Sequence, residues 1–161
     1  STGAITTRMS SGMPDLTGLS ISDVATATNV TLAADTISVI NYTGAAAATM
    51  TLPAATAGTI VVYCQSKDTT GGTATLVFDA AGSDVWATGS VIESRGSSEV
   101  TFDASAAGET KLTFTPANAA TNLLTTGGQI AFICYENATW HIATKLAAET
   151  TQVTGAFVFA A

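Results

Sequence analysis

Residues 51–58, TLPAATAG, run directly into residues 59–66, TIVVYCQS. Pro53 has no amide hydrogen to give to a sheet ladder and fixes its own φ, so it belongs at a strand end or edge. Gly58 reaches backbone conformations that Ala and Thr avoid. The octet therefore punctuates two strands, one ending near Leu52 and a more hydrophobic one beginning near Ile60. What kind of protein is built from such units is the question the rest of the chain answers.

Outward from this pair, a two-residue period dominates from Asn29 on. TISVIN (36–41) puts Ile37 and Val39 on one face, and ATLVFD (74–79) puts Leu76 with Phe78. EVTFD (99–103) pairs Val100 with Phe102, KLTFT (111–115) pairs Leu112 with Phe114, and TWHIATKL (139–146) aligns Trp140, Ile142 and Leu146. Such alternation marks strands with one buried face. KDTTGG (67–72), DAAGSD (79–84), SRGSS (94–98), DASAAGE (103–109), TTGG (125–128) and ENA (136–138) separate them. Their Gly, Asp, Asn and Ser residues tolerate positive φ or bond back to the backbone. TPANAATNLLTT (115–126) is a longer connection with room for a helical turn after Pro116, and GAAAATM (44–50) reads as a small-residue strand or loop. Strands every ten residues or so predict an all-β fold: an antiparallel β-sandwich, jelly-roll-like. Residues 1–28 lack the alternation and are expected to be an extended N-terminal arm, with residues 29–161 forming the sandwich domain.

Of 161 residues, 47% are hydrophobic and 11% charged, against a usual charged fraction of about 25%. Such a chain folds, but its Ala, Thr, Ser and Gly suit thin, tightly packed sheets better than a large enzyme core. The net charge is −7, and Arg8, Lys67, Arg95, Lys111 and Lys145 are the only cations. Scattered as they are, they cannot assemble a surface that tracks phosphates, so no nucleic-acid partner is expected. A surface this poor in charge points to contact with other subunits. The apolar runs 130–135 and 156–161 are far shorter than the ~20 residues of a membrane helix, and residues 1–18 lack the basic start and apolar stretch of a leader. No membrane association is expected.

Cys64 and Cys134 each sit in an apolar run. Alternation puts Cys64 with Ile60 and Val62, and Cys134 with Ile130 and Phe132. Both are expected to be buried, reduced thiols acting as small hydrophobes. His141, the single histidine, faces away from Trp140 and Ile142, with no local nucleophile or orienting carboxylate, and reads as a surface or interface residue. Asp68, Asp79, Asp84, Asp103 and Glu109 are scattered through turns; DAAGSD lacks the dense alternating ligands of a calcium loop. Trp86 and Trp140 read as core or interface anchors, with sugar stacking the alternative, most open at Trp86. The N-x-T triplets at Asn29, Asn41 and Asn137 read as chance in a Thr-rich chain. No catalytic, cofactor-binding or metal-ligating residue is assigned, and the chain is not expected to be an enzyme.

The order of features from Thr51 to Thr144 resembles a β-rich module of bacteriophage virion proteins. The carrying segments are 51–58, 59–66, Gly71–Gly72, 74–79, AGSD at 81–84, and Thr139–Trp140. The stretch covers somewhat over half the chain; residues 103–122 and the arm before residue 29 depart from the pattern. The resemblance implies a capsid decoration (cement) protein on the outer surface of the virion, a homotrimer whose partner is the major capsid protein. A head or tail fibre or knob domain for host attachment is the alternative of the same kind. A carbohydrate-binding module or lectin is the alternative of another class, and it would need Trp86 exposed.

Overall fold

A computed structural model describes residues 20–24, 29–69, 73–95, 100–116, 124, 126–143, 146–147 and 157–161. These residues form strands and turns. The first seven strands are β1 (Ser20–Val24), β2 (Asn29–Thr31), β3 (Thr36–Ile40), β4 (Ala48–Thr51), β5 (Ile60–Gln65), β6 (Leu76–Asp79) and β7 (Val85–Trp86). The rest are β8 (Val91–Arg95), β9 (Val100–Ala104), β10 (Lys111–Phe114), β11 (Gln129–Glu136), β12 (Thr139–Ile142), β13 (Leu146–Ala147) and β14 (Phe157–Ala160). A six-stranded sheet has the order β1-β3-β5-β11-β12-β7, a five-stranded sheet β14-β10-β6-β4-β2, and a small third sheet β13-β8-β9.

From β1 to β7 the chain alternates between the two large sheets, odd strands in the six-stranded one and even strands in the five-stranded one. Up to β6, each strand therefore meets its next neighbour after a passage through the opposite sheet, and meets it running the same way. The pairs β1–β3, β3–β5, β2–β4 and β4–β6 are all parallel. Parallel neighbours need a crossover of a dozen or more residues. Here a strand of the facing sheet is that crossover, and the first half of the chain winds as a coil. Later pairs reverse: β5–β11, β11–β12, β6–β10, β10–β14 and β8–β9 are antiparallel. The parallel pairs β7–β12 and β8–β13 complete the set. The fold is all-β, as expected, but its sheets are mixed. The expected sandwich was antiparallel throughout, and this is corrected because turn residues mark where a chain bends and not which sheet it enters next.

Residues 51–58 show the point. They form an arch that carries the chain from β4 in one sheet to β5 in the other. Leu52 and Ala55 are buried beneath it. Its amides are tied down by distant groups: Leu52 N donates to Asp79 O (2.8 Å), Ala55 N to Asp84 Oδ2 (2.6 Å), Ala57 N to Asn137 Oδ1 (3.0 Å) and Gly58 N to Cys134 O (2.8 Å). Gly58 holds φ at 98°, which a side chain would resist.

The two large sheets face each other across an aromatic core. Tyr63 of the six-stranded sheet meets Phe78 of the five-stranded one at 5.1 Å, edge to face, and Phe78 meets Phe132 at 5.2 Å. Trp86 touches Phe132 and Phe159 at 5.5 and 5.7 Å. Each such ring pair contributes about 0.5–1.5 kcal/mol beyond the area it buries. Met50, Leu76, Leu112, Phe114, Ile130 and Trp140 fill the same cluster. A second cluster, Ile60, Val62, Ala131 and Ile133, is also fully buried. Along β5 and β11 its members alternate with the core residues Val61, Tyr63, Ile130 and Phe132, so they occupy the opposite face of the six-stranded sheet.

Of the segment expected to be an arm, Ser20–Val24 is a strand laid in register along β3, with Ile21 opposite Ile37. Residues 1–19 and 25–28 lie outside the described residues. So do Arg8, Lys145, Gly71–Gly72 and most of the connection after Pro116, together with the side chains of Arg95, Val100, Phe102 and Leu146.

Candidate functional site

The turn carboxylates singled out in the sequence work mostly as ties between segments. Besides Asp84, Asp68 Oδ1 accepts from Thr126 N (2.6 Å) and Thr126 Oγ1 (2.8 Å), which holds its carboxyl below the usual range. Asp103 Oδ2 accepts from Phe159 N (2.6 Å) and Glu109 Oε2 from Ala106 N (2.6 Å). Asp79 stands opposite Lys111 in the β6–β10 register. Two of the N-x-T asparagines act in the same way: Asn137 holds the arch, and Asn29 Oδ1 accepts from Thr49 N (3.2 Å). Among the described residues, no three His, Cys, Asp or Glu side chains are grouped to hold a metal ion.

Both cysteines are free thiols. Cys64 pairs in register with Gln129, five residues before Cys134. At ~3.4 Å per residue the two lie ~17 Å apart along the sheet and on opposite faces, beyond disulfide reach. Cys134 is buried and donates from Sγ to Glu136 O (2.8 Å). Cys64 is only half-buried, a correction to the expectation, because it lies past the end of the second apolar cluster. Burial pushes both thiols up, so thiolate is scarce at neutral pH.

Trp86 is 1% exposed and Trp140 fully buried, so neither ring is a platform for a sugar. Their indole N–H groups are buried with no acceptor among the described residues. Among the described residues the exposed aromatic ring is instead Tyr135, on which His141 packs edge-on at 4.9 Å. His141 is half-buried opposite Ile133, on the face away from Trp140, as its place in the alternation predicts.

Trp86 and His141 border a cleft of about 430 Å³, lined also by Val85 and Ala87 at the β7 edge, by Thr88, by Ala107 and Gly108, and by Glu136 and Thr139. Its walls are fixed by backbone bonds. Val85 N donates to Ala138 O (3.0 Å), Trp86 N to Glu109 O (2.9 Å) and Ala87 N to Trp140 O (2.8 Å). The buried hydroxyl of Ser105 joins the two turns of one wall, donating to Ala87 O (2.5 Å) and accepting from Ser90 N (3.0 Å). Sequence reasoning found His141 and Trp86 but missed Thr88, Glu136 and Thr139. They come from segments about fifty residues apart, and only the parallel β7–β12 pairing unites them.

Compared with protein-family models, with curated proteins and with solved structures, the chain matches none.

Proposed function

We propose that the chain is a bacteriophage virion structural protein: a decoration, or cement, protein that sits on the outer capsid as a homotrimer and holds neighbouring copies of the major capsid protein together. The observation that carries this reading is the character of the surface. Ile21, Val91, Tyr135 and Val158 stand exposed on a chain in which only 11% of residues are charged. Large exposed apolar side chains on so neutral a surface suit contact with other subunits. The polar turn residues are largely spent on tying segments together, which suits a module whose product is a surface. The resemblance of residues 51–144 to virion modules supports the same conclusion. The fibre or knob reading is the second one, favoured by the open cleft beside His141. The lectin reading in its original form needed an exposed Trp86.

A protein that binds the assembled shell and not its dissociated subunits stabilises the shell by mass action. Three linked copies of one weak patch raise the effective concentration at each site. Particles with the protein should therefore survive heating or osmotic shock that bursts bare ones, and attachment should persist in ~1 M salt, where the Debye length has shrunk to ~3 Å. Light scattering should give about three times the 16.1 kDa chain mass. Equal survival of bare and decorated particles would remove the cement role, and a stable monomer would remove the trimer.

A further inference from the structure

We propose that the cleft between β7, the 105–108 turn and the β11–β12 hairpin is a binding site for a neutral saccharide. Its volume, about 430 Å³, falls in the ~300–1,000 Å³ range of small-molecule sites. Its polar groups are of the kind that vicinal hydroxyls satisfy. Glu136 accepts only, while the hydroxyls of Thr88 and Thr139 both donate and accept, and the His141 imidazole offers two ring nitrogens. Val85 and Ala87 supply a small apolar floor against which the C–H face of a pyranose can lie.

Charge selects within the polar ligands. Glu136 is the carboxylate of the lining, no lysine or arginine accompanies it, and the chain carries −7 overall. Phosphates, sialic acids and uronic acids find no lysine or arginine there to pair with. A cation meets one solvent-exposed carboxylate, whose attraction water and salt largely screen. A neutral polyol loses nothing to either effect. The walls are already fixed by the Ser105 hydroxyl and the β7–β12 backbone bonds, so binding orders little. With Trp86 buried, recognition runs through hydrogen bonds and not through ring stacking, which predicts millimolar affinity for a single sugar. None of this depends on the virion reading, since the cleft belongs to one chain.

The test is an amide-resolved NMR titration of the full nitrogen-labelled chain with methyl β-galactopyranoside, methyl α-glucopyranoside, N-acetylglucosamine and 3′-sialyllactose, each to ~50 mM. At least one neutral sugar should shift the amides of Ala87, Gly108 and Thr139 with a millimolar Kd, and sialyllactose should bind more weakly. Glu136→Gln should weaken that binding roughly tenfold, because a carboxylate accepts more strongly than an amide. Thr139→Val, which keeps shape and strand propensity, should weaken it severalfold. Unchanged thermal unfolding of both variants separates lost binding from lost fold. Absence of shifts with every neutral sugar, shifts centred elsewhere, equal binding of the acidic sugar, or full affinity in both variants would each overturn the proposal.

Discussion

The middle of the six-stranded sheet and the whole of the five-stranded sheet bury their side chains by different rules. In β4, β6, β10 and β14, buried residues alternate with exposed or half-exposed ones, and a single face meets the core. In β5, the four residues from Ile60 to Tyr63 are all buried, and in β11 the five from Ile130 to Cys134. Val61 and Tyr63 of β5 and Ile130, Phe132 and Cys134 of β11 feed the aromatic core, and the residues between them, with Ile60, feed the second cluster. A strand buried on both faces must read as a continuous apolar run, whereas a strand with one wet face must alternate. The contrast shows that TIVVYCQS and ATLVFD differ because their strands occupy different layers, and not because one strand is a better former than the other.

The sharpest way to break this comparison is to place a charge on the second face of each sheet. Val62→Asp puts a carboxylate into the cluster of Ile60, Ala131 and Ile133, whose described members are all apolar. Burying it unpaired costs several kcal/mol, comparable to the whole stability of a domain, so the variant should fail to fold. Val77→Asp, on the half-exposed face of β6, should cost about 1 kcal/mol in strand propensity and packing. Equal effects on chemical denaturation midpoints would mean that the two outer faces are alike.

A smaller change sharpens the same contrast without charge. Ile133→Ala, in the second cluster, should lose about 2–5 kcal/mol, as a core truncation does. Val77→Ala should lose under about 1 kcal/mol. Urea denaturation of the pair measures the difference, and a loss under about 1 kcal/mol for Ile133→Ala would make the second cluster a surface patch.

This contrast also separates what was legible in the sequence from what was not. Alternation in 74–79 and 111–115 placed Leu76, Phe78, Leu112 and Phe114 in the core, and the unbroken run 60–65 marked a more hydrophobic strand. The coil was hidden. Pro53 and Gly58 carry the same local chemistry whether the chain makes a hairpin within one sheet or an arch between two, so local signals cannot report strand direction. The cleft was hidden for a related reason. Thr88, Glu136 and Thr139 are ordinary loop and strand residues until the parallel β7–β12 pairing sets them around one space.

At neutral pH the least visible difference between the sheets is a polar one, and alkali should expose it. The inner face of the six-stranded sheet holds a buried network: the Tyr63 hydroxyl donates to Gln65 Oε1, and Gln65 Nε2 donates to Tyr42 O (2.7 Å) and Lys67 O (2.5 Å). The Tyr42 hydroxyl donates to Ala74 O. Burial pushes Tyr42 up to about 12 and Tyr63 further still, the latter chiefly by desolvation. An unfolded tyrosine loses its proton near pH ~10. Below that pH both states hold the protons, and the stability gained by keeping the phenols neutral is fully present. As pH rises from 10 toward 12 the unfolded state binds fewer protons than the native one, so stability falls by up to about 1.4 kcal/mol per pH unit for each tyrosine. Tyr63→Phe removes one such phenol. It should lose about 1 kcal/mol at pH 7, where the bond to Gln65 is missing, yet show a shallower decline above pH 10. Urea midpoints measured from pH 7 to 11.5 check both parts. Parallel alkaline limbs for the native chain and the variant would show that the phenol of Tyr63 reaches water, and that this face of the sheet is less closed than its counterpart across the core.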